Sequence, residues 1–118
     1  MAWTIEVSAE AERDIDLLFD HLADSYVEFG ETRSVAAAQA VDRVGRILDM
    51  MERIATAPYR GEIHDDLLPG LRHLTLERAI YWFQVEEKAE IVRVLAIFYG
   101  GQDHVRQMLL RLLSSPAA

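Results

Sequence analysis

The chain has no cysteine among its 118 residues. That excludes a disulfide framework and any chemistry that needs a thiolate. Lysine is nearly absent too: of the 12 basic residues only Lys88 is a lysine and the rest are arginine. Cationic contacts therefore fall to planar guanidinium groups, which suit carboxylates and phosphates. No apolar run reaches the length of a membrane span. Met1 to Val7 has neither the basic flank nor the apolar core of a signal peptide, so the chain reads as cytoplasmic. Linkers, internal repeats and low-complexity tracts are absent as well. The net charge is −8, which excludes a general electrostatic footprint for nucleic acid.

What the chain does have is an ordinary globular balance, with 51% hydrophobic and 27% charged residues. Its length fits one domain spanning 1–118. The charge is uneven. Up to Asp66 there are 15 acids against 6 arginines, and from Leu67 onward 5 acids against 6 basic residues.

Alternation in Trp3 to Val7 predicts a short strand. Ser8 is placed to cap a helix from about Ala9 to Phe29, with Glu10 and Glu12 in its first turn. Ile15, Leu18, Phe19, Leu22, Ala23 and Tyr26 form its apolar face, and Gly30 is a natural stop. A second helix follows Thr32 or Ser34 and ends before Pro58. Its stripe is Ala37, Val41, Val44, Leu48, Met51 and Ala55. Asp42–Arg46 and Asp49–Arg53 are four-apart pairs in the favourable order. Gly45 inside it costs about 1 kcal/mol relative to Ala and suggests close approach to the first helix. Pro58 to Gly70 reads as a loop.

From there the period turns strand-like. Leu71–Leu76, Ala79–Glu86 and Ile91–Tyr99 predict an antiparallel meander, and Asp103 caps a last helix from about His104 to Leu113. The order β-α-α-β-β-β-α implies a two-layer α+β domain with a four-stranded, mostly antiparallel sheet, a long helical hairpin and a short terminal helix. Both sheet faces are apolar. Tyr81, Phe83 and Val85 oppose Ile80 and Trp82, while Val92, Val94 and Phe98 oppose Ile91, Leu95 and Ile97. The hairpin covers one face, and the terminal helix or a partner covers the other. Leu109, Leu110, Leu112 and Leu113 are too many for one face of a short helix.

Candidate chemistry is sparse. RNA cleavage needs a general base, a general acid and cations about the phosphate. Arg72, His73, Arg78, His104 and Arg106 are the only set that could converge for it, and the plainer reading leaves both histidines solvated. His21, His64, His73 and His104 lack paired-ligand spacing, so neither a metal site nor a cofactor is expected. His64-Asp65-Asp66 reads as a solvated loop. The first helix carries Glu12, Asp16, Asp20, Asp24 and Glu28, each four apart. Their repulsion costs an isolated helix about 1–2 kcal/mol.

Pro69-Gly70-Leu71-Arg72, Glu77 to Val85, Ile91 to Leu95 and Gly100-Gly101-Gln102-Asp103, in this order and spacing, resemble the RelE/ParE toxin superfamily of bacterial type II toxin–antitoxin modules. The resemblance spans nearly the whole chain. It leans to the ParE-like branch, which binds DNA gyrase and has no catalytic residue. RelE-like members, which are ribosome-dependent mRNA endoribonucleases, carry basic residues after the last strand and a Tyr in the last helix. This chain has Gly100 to His104 and no Tyr from Val105 to Leu113. The resemblance implies a cognate ParD-like antitoxin whose C-terminal segment fills an apolar groove, for which Leu17, Leu18, Tyr81, Phe83, Phe98 and Leu109 are candidates. Yet Tyr81, Trp82 and Phe83 also read as core, at least two of the three. Asp20, Asp24 and Glu28 would meet cationic antitoxin side chains. Arg72, Arg78, Gln102, Asp103 and Arg106 would face the target, although Arg72 and Arg78 could equally pair with Glu77, Glu86 or Glu90 across the hairpin. Two alternatives stay open: a RelE-like endoribonuclease, and a non-toxic or decayed relative that acts only as a binding partner.

Overall fold

A computed structural model describes residues 3–100 and 103–114. The elements are β1 (Thr4–Val7), α1 (Ala9–Glu28), α2 (Arg33–Thr56), β2 (Glu62–Ile63), β3 (Leu71–Leu76), β4 (Ala79–Glu86), β5 (Ile91–Tyr99) and α3 (His104–Ser114). The expected order holds, with one addition. The segment read as loop contains β2, which pairs with β3 and makes a five-stranded sheet in the order β1-β5-β4-β3-β2. Two residues are too few to leave a period in the sequence.

Helix boundaries follow local chemistry. Ser8 Oγ accepts the Ala11 N–H at 3.0 Å, and Thr32 Oγ1 accepts the Val35 N–H at 3.3 Å. Gly30 takes φ 105°, and the Glu31 N–H returns to Tyr26 O, closing α1 as a left-handed glycine does. Asp103 Oδ1 accepts the Arg106 N–H at 3.2 Å and caps α3.

β1 runs parallel to β5, and the meander is antiparallel. The α1–α2 hairpin packs on one face with Leu76, Tyr81, Phe83, Val92, Val94 and Ile97. The Tyr81 hydroxyl donates to Ile47 O at 2.6 Å, tying that core to α2. The other face holds Leu71, Ile80, Trp82, Ala96 and Met108. So α3 covers it, with Met108 and Leu112 turned inward and Leu109, Leu110 and Leu113 exposed.

Three expectations are corrected. A register shift at Trp82/Phe83 pairs Trp82 with Ala96 and Phe83 with Val94, skipping Leu95. The extra residue reverses the inward–outward phase of β5. Ile97 therefore joins the hairpin core, and Phe98 turns to the α3 side. Gly45 makes no close approach: a Cβ there would meet nothing within 4 Å. It opens onto a surface hollow walled by Val41, Arg46, Asp49 and Glu77. Arg46 does not pair with Asp42; its Nε donates to Glu77 of the β3–β4 turn at 2.7 Å. Among the described residues no helix is long and apolar enough to cross a membrane.

Candidate functional site

A groove of about 390 Å³ runs between α1, β5 and α3. Leu17, Leu18 and His21 line one wall, Ile97, Phe98 and Tyr99 the floor, and Gln107 and Arg111 the other wall. Leu17 is 66% exposed, whereas Leu18 shows only its edge. Beneath lies a fixed ion pair. Arg111 Nη1 and Nη2 donate to Asp14 at 2.7 and 2.8 Å, Nη1 also reaches Leu95 O at 3.1 Å, and Asp14 Oδ2 accepts the Ile97 N–H. The guanidinium stands 5.4 Å over the Phe98 ring. Hydrogen bonding to Asp14, opposed by burial, raises the Arg111 pKa. The pair satisfies β5 where its phase reverses and locks three elements around the groove. Sequence reasoning missed it, though a signal exists: Asp14 sits among Ala11, Ile15 and Leu18 on the inward side of α1, where a carboxylate requires a partner.

The structure brings Leu17, Leu18 and Phe98 together in this groove. Tyr81 and Phe83 are corrected: both are fully buried under the hairpin and offer no surface. Trp82 is equally buried, so all three aromatics are core. Leu109 is also corrected. It is exposed, but it lies about 200° around α3 from Gln107 and so on the flank away from the groove. Glu12, Asp16, Asp20, Asp24 and Glu28 are exposed. Their row drifts about 40° per step and ends on the meridian of Leu17 and His21. Asp24 and Glu28 also border a hollow of about 430 Å³ with Val27 and Arg33.

The arginines of the meander do not share a site. Arg72 donates to Tyr59 O at 2.9 Å and lies over the Tyr59 ring. Arg78, at the β3–β4 turn, stands over Tyr99. The cross-hairpin ion pairs weighed for them are not made, because Glu77 is taken by Arg46 and Glu86 by Arg93. Arg106 is exposed, and the Asp103 carboxylate serves as cap. Gln102 lies outside the described residues.

The histidines depart most from expectation. His64, His73 and His104 are not scattered or merely solvated; they gather on Trp82. His64 and His73 meet edge to edge, with ring centroids 4.9 Å apart and 27° between planes. Both lie on the indole, at 4.6 and 4.8 Å. His104 meets His73 edge-on at 4.7 Å and accepts the Trp82 Nε1–H at 3.2 Å. Burial first, then His104 and His64, lowers the His73 pKa against a small opposing effect of Glu62. Glu62, His64 and His73 bring one ligand atom each within 4.8 Å of one another and could hold a metal ion. Asp65, beside them, accepts the Gly70 N–H at 2.9 Å. No spacing in the sequence announces this cluster, because antiparallel pairing of Glu62 with His73 creates it.

The architecture can now be compared with solved structures. The chromosomal ParDE toxin–antitoxin system from P. aeruginosa matches with a TM-score of 0.62 at 22% identity, covering 85% of this chain and 98% of that one. The chain has the RelE/ParE fold. The RelBE2 toxin–antitoxin complex of Mycobacterium tuberculosis matches a RelE/ParE frame over 86% of this chain and 95% of its own, with a TM-score of 0.51 and 12% identity. The isolated E. coli RelE toxin does so over 95% and 99%, with a TM-score of 0.52 and 9% identity. No protein-family model matches the chain, and no curated protein matches it. The helical hairpin and α3 fit that fold.

Proposed function

We propose that this protein is the ParE-like toxin of a type II toxin–antitoxin module. It acts in the cytoplasm by binding DNA gyrase and is held inactive by a ParD-like antitoxin. The observation that carries this reading is the higher structural similarity to the ParDE system, 0.62 against 0.51–0.52 for the RelE-type structures. The groove adds support. It has an exposed apolar wall at Leu17 and an aromatic floor at Phe98 and Tyr99, and Asp24 and Glu28 lie further along the same side of α1. That combination suits an amphipathic segment with apolar anchors and cationic flanks. Arg78 and Arg106 are the exposed arginines proposed to face the target.

One observation favours the second reading, a RelE-like endoribonuclease: His73 and His104 do meet, as a general acid–base pair would. Against it, two of the three arginines that would hold a phosphate are engaged elsewhere. Arg72 is committed to Tyr59 and Arg78 to the far turn. Pulse-labelling after induction of the chain without antitoxin separates the two. Loss of DNA synthesis while translation continues is the expected outcome. Translation stopping first would favour the endoribonuclease, with His73 and His104 as its catalytic groups. No growth arrest at all would leave a binding partner without toxicity.

A further inference from the structure

We propose that Glu62, His64 and His73 form a binding site for one divalent transition-metal ion, Zn²⁺ foremost, which staples β2 to β3.

Two imidazole nitrogens and one carboxylate are a donor set that zinc takes readily, leaving a fourth position for water. The spacing supports it. Glu62 Oε2 lies 3.3 Å from His64 Nε2 and 3.7 Å from His73 Nδ1. Ligands about 2.0–2.1 Å from a tetrahedral zinc are separated by about 3.3–3.4 Å, so two of the three edges are already close. The third, His64 Nε2 to His73 Nδ1, is 2.7 Å. That is a hydrogen-bond length, and it requires one proton between the rings. A metal ion takes the place of that proton and needs the nitrogens only about 0.6 Å further apart. Both rings must turn for this, because the two nitrogens now point at each other and have to converge on the ion instead.

The backbone holds the donors in place. Glu62 pairs directly with His73 in the β2–β3 register. The His64 N–H donates to Leu71 O at 2.8 Å, fixing the residue after β2. Gly61 brings the incoming chain so near that a Cβ there would lie 2.3 Å from His73 O. Both histidines are largely covered, at 13% and 15% side-chain exposure, and are packed on Trp82, whereas Glu62 is 67% exposed. The two nitrogens are thus preorganised in a sheltered cleft, and the carboxylate closes over the ion from the solvent side. Among the described residues no lysine or arginine hydrogen-bonds or ion-pairs with the three, so the ligand atoms face no competing cation.

The site is independent of the toxin reading, because its test reads metal and not growth. Titration of the chelator-treated full chain with ZnCl₂ by calorimetry should give one equivalent bound. His64→Gln or His73→Gln should weaken it at least tenfold, and Glu62→Gln by a smaller factor. His21→Gln, in the α1 groove, should leave it unchanged. Ring ¹⁵N spectra of the unmodified chain need no substitution: Zn²⁺ should shift His64 Nε2 and His73 Nδ1 and leave His21 in place. Substoichiometric binding, binding that survives His64→Gln and His73→Gln, or unmoved ring resonances would each overturn the proposal.

Discussion

Tyr81 is a phenol in the middle of the core, fully buried, with the Ile47 carbonyl as its partner. Burial pushes its pKa well above the usual 10, with a further contribution from Glu77. The sign of the resulting pH dependence follows from linkage. An unfolded Tyr81 releases its proton near pH 10, whereas the folded one keeps it. The stabilising effect is therefore complete below pH 10 and is lost as pH rises beyond. Tyr81→Phe should cost about 1 kcal/mol at neutral pH, the usual worth of one hydrogen bond. Its stability should then fall less steeply than that of the parent between pH 10 and 11. Urea melts of both chains at the three pH values check this, and parallel curves would refute it. Asp14 illustrates the same scale from the other side: a single carboxylate facing the core recruits Arg111 from 97 residues away.

At the scale of elements, β2 is the shortest strand and organises the most chemistry. Its entry at Gly61 needs both φ 91° and the absence of a side chain, since a Cβ would strike the His73 carbonyl. Gly30 also has positive φ, 105°, but open space around it. Ala at Gly30 should therefore cost only the backbone strain, about 1 kcal/mol. Ala at Gly61 adds a clash with backbone and should cost clearly more, about 2–3 kcal/mol. It should also release the His64 amide from Leu71, which hydrogen exchange at that amide would report. Equal losses at the two positions would show that β2 is not held as described. The helices and the three longer strands were legible in the sequence, because each carries a cap or an apolar period that acts within a few residues. The β5 bulge was not. One inserted residue at Leu95 leaves the composition of the strand unchanged and only reverses which side chains face the hairpin.

For the whole molecule, charge is the organising quantity. Fifteen of the 20 acids precede Leu67, and the α1 row lies exposed, with Asp24 and Glu28 on the side of the helix that carries Leu17 and His21. A field of one sign along a binding surface accelerates encounter with a cationic partner and is screened by salt. Neutralising Asp20, Asp24 and Glu28 to Asn and Gln should slow association with the proposed antitoxin about tenfold at low salt and change dissociation little. Stopped-flow rates at two ionic strengths test it, and an unchanged on-rate at low salt would remove these acids from the interface. Leu17 was legible as a groove candidate because it is apolar and lies outside the inward stripe of α1, whereas the side taken by Phe98 depends on the β5 bulge. Tyr81 and Phe83 carry the same apolar signature. Only the packing of α2 over β4 distinguishes core from groove.

The sequence by itself determined the element order, the caps, the two apolar faces of the meander and the acidic row, since each depends on neighbours along the chain. Tertiary structure alone decided which face α3 covers, that Asp14 meets Arg111, and that Glu62, His64, His73 and His104 converge around Trp82. Those contacts join residues of different elements through strand register and helix docking. Such long-range geometry is set by the packing of the whole chain, and no local pattern of residues encodes it.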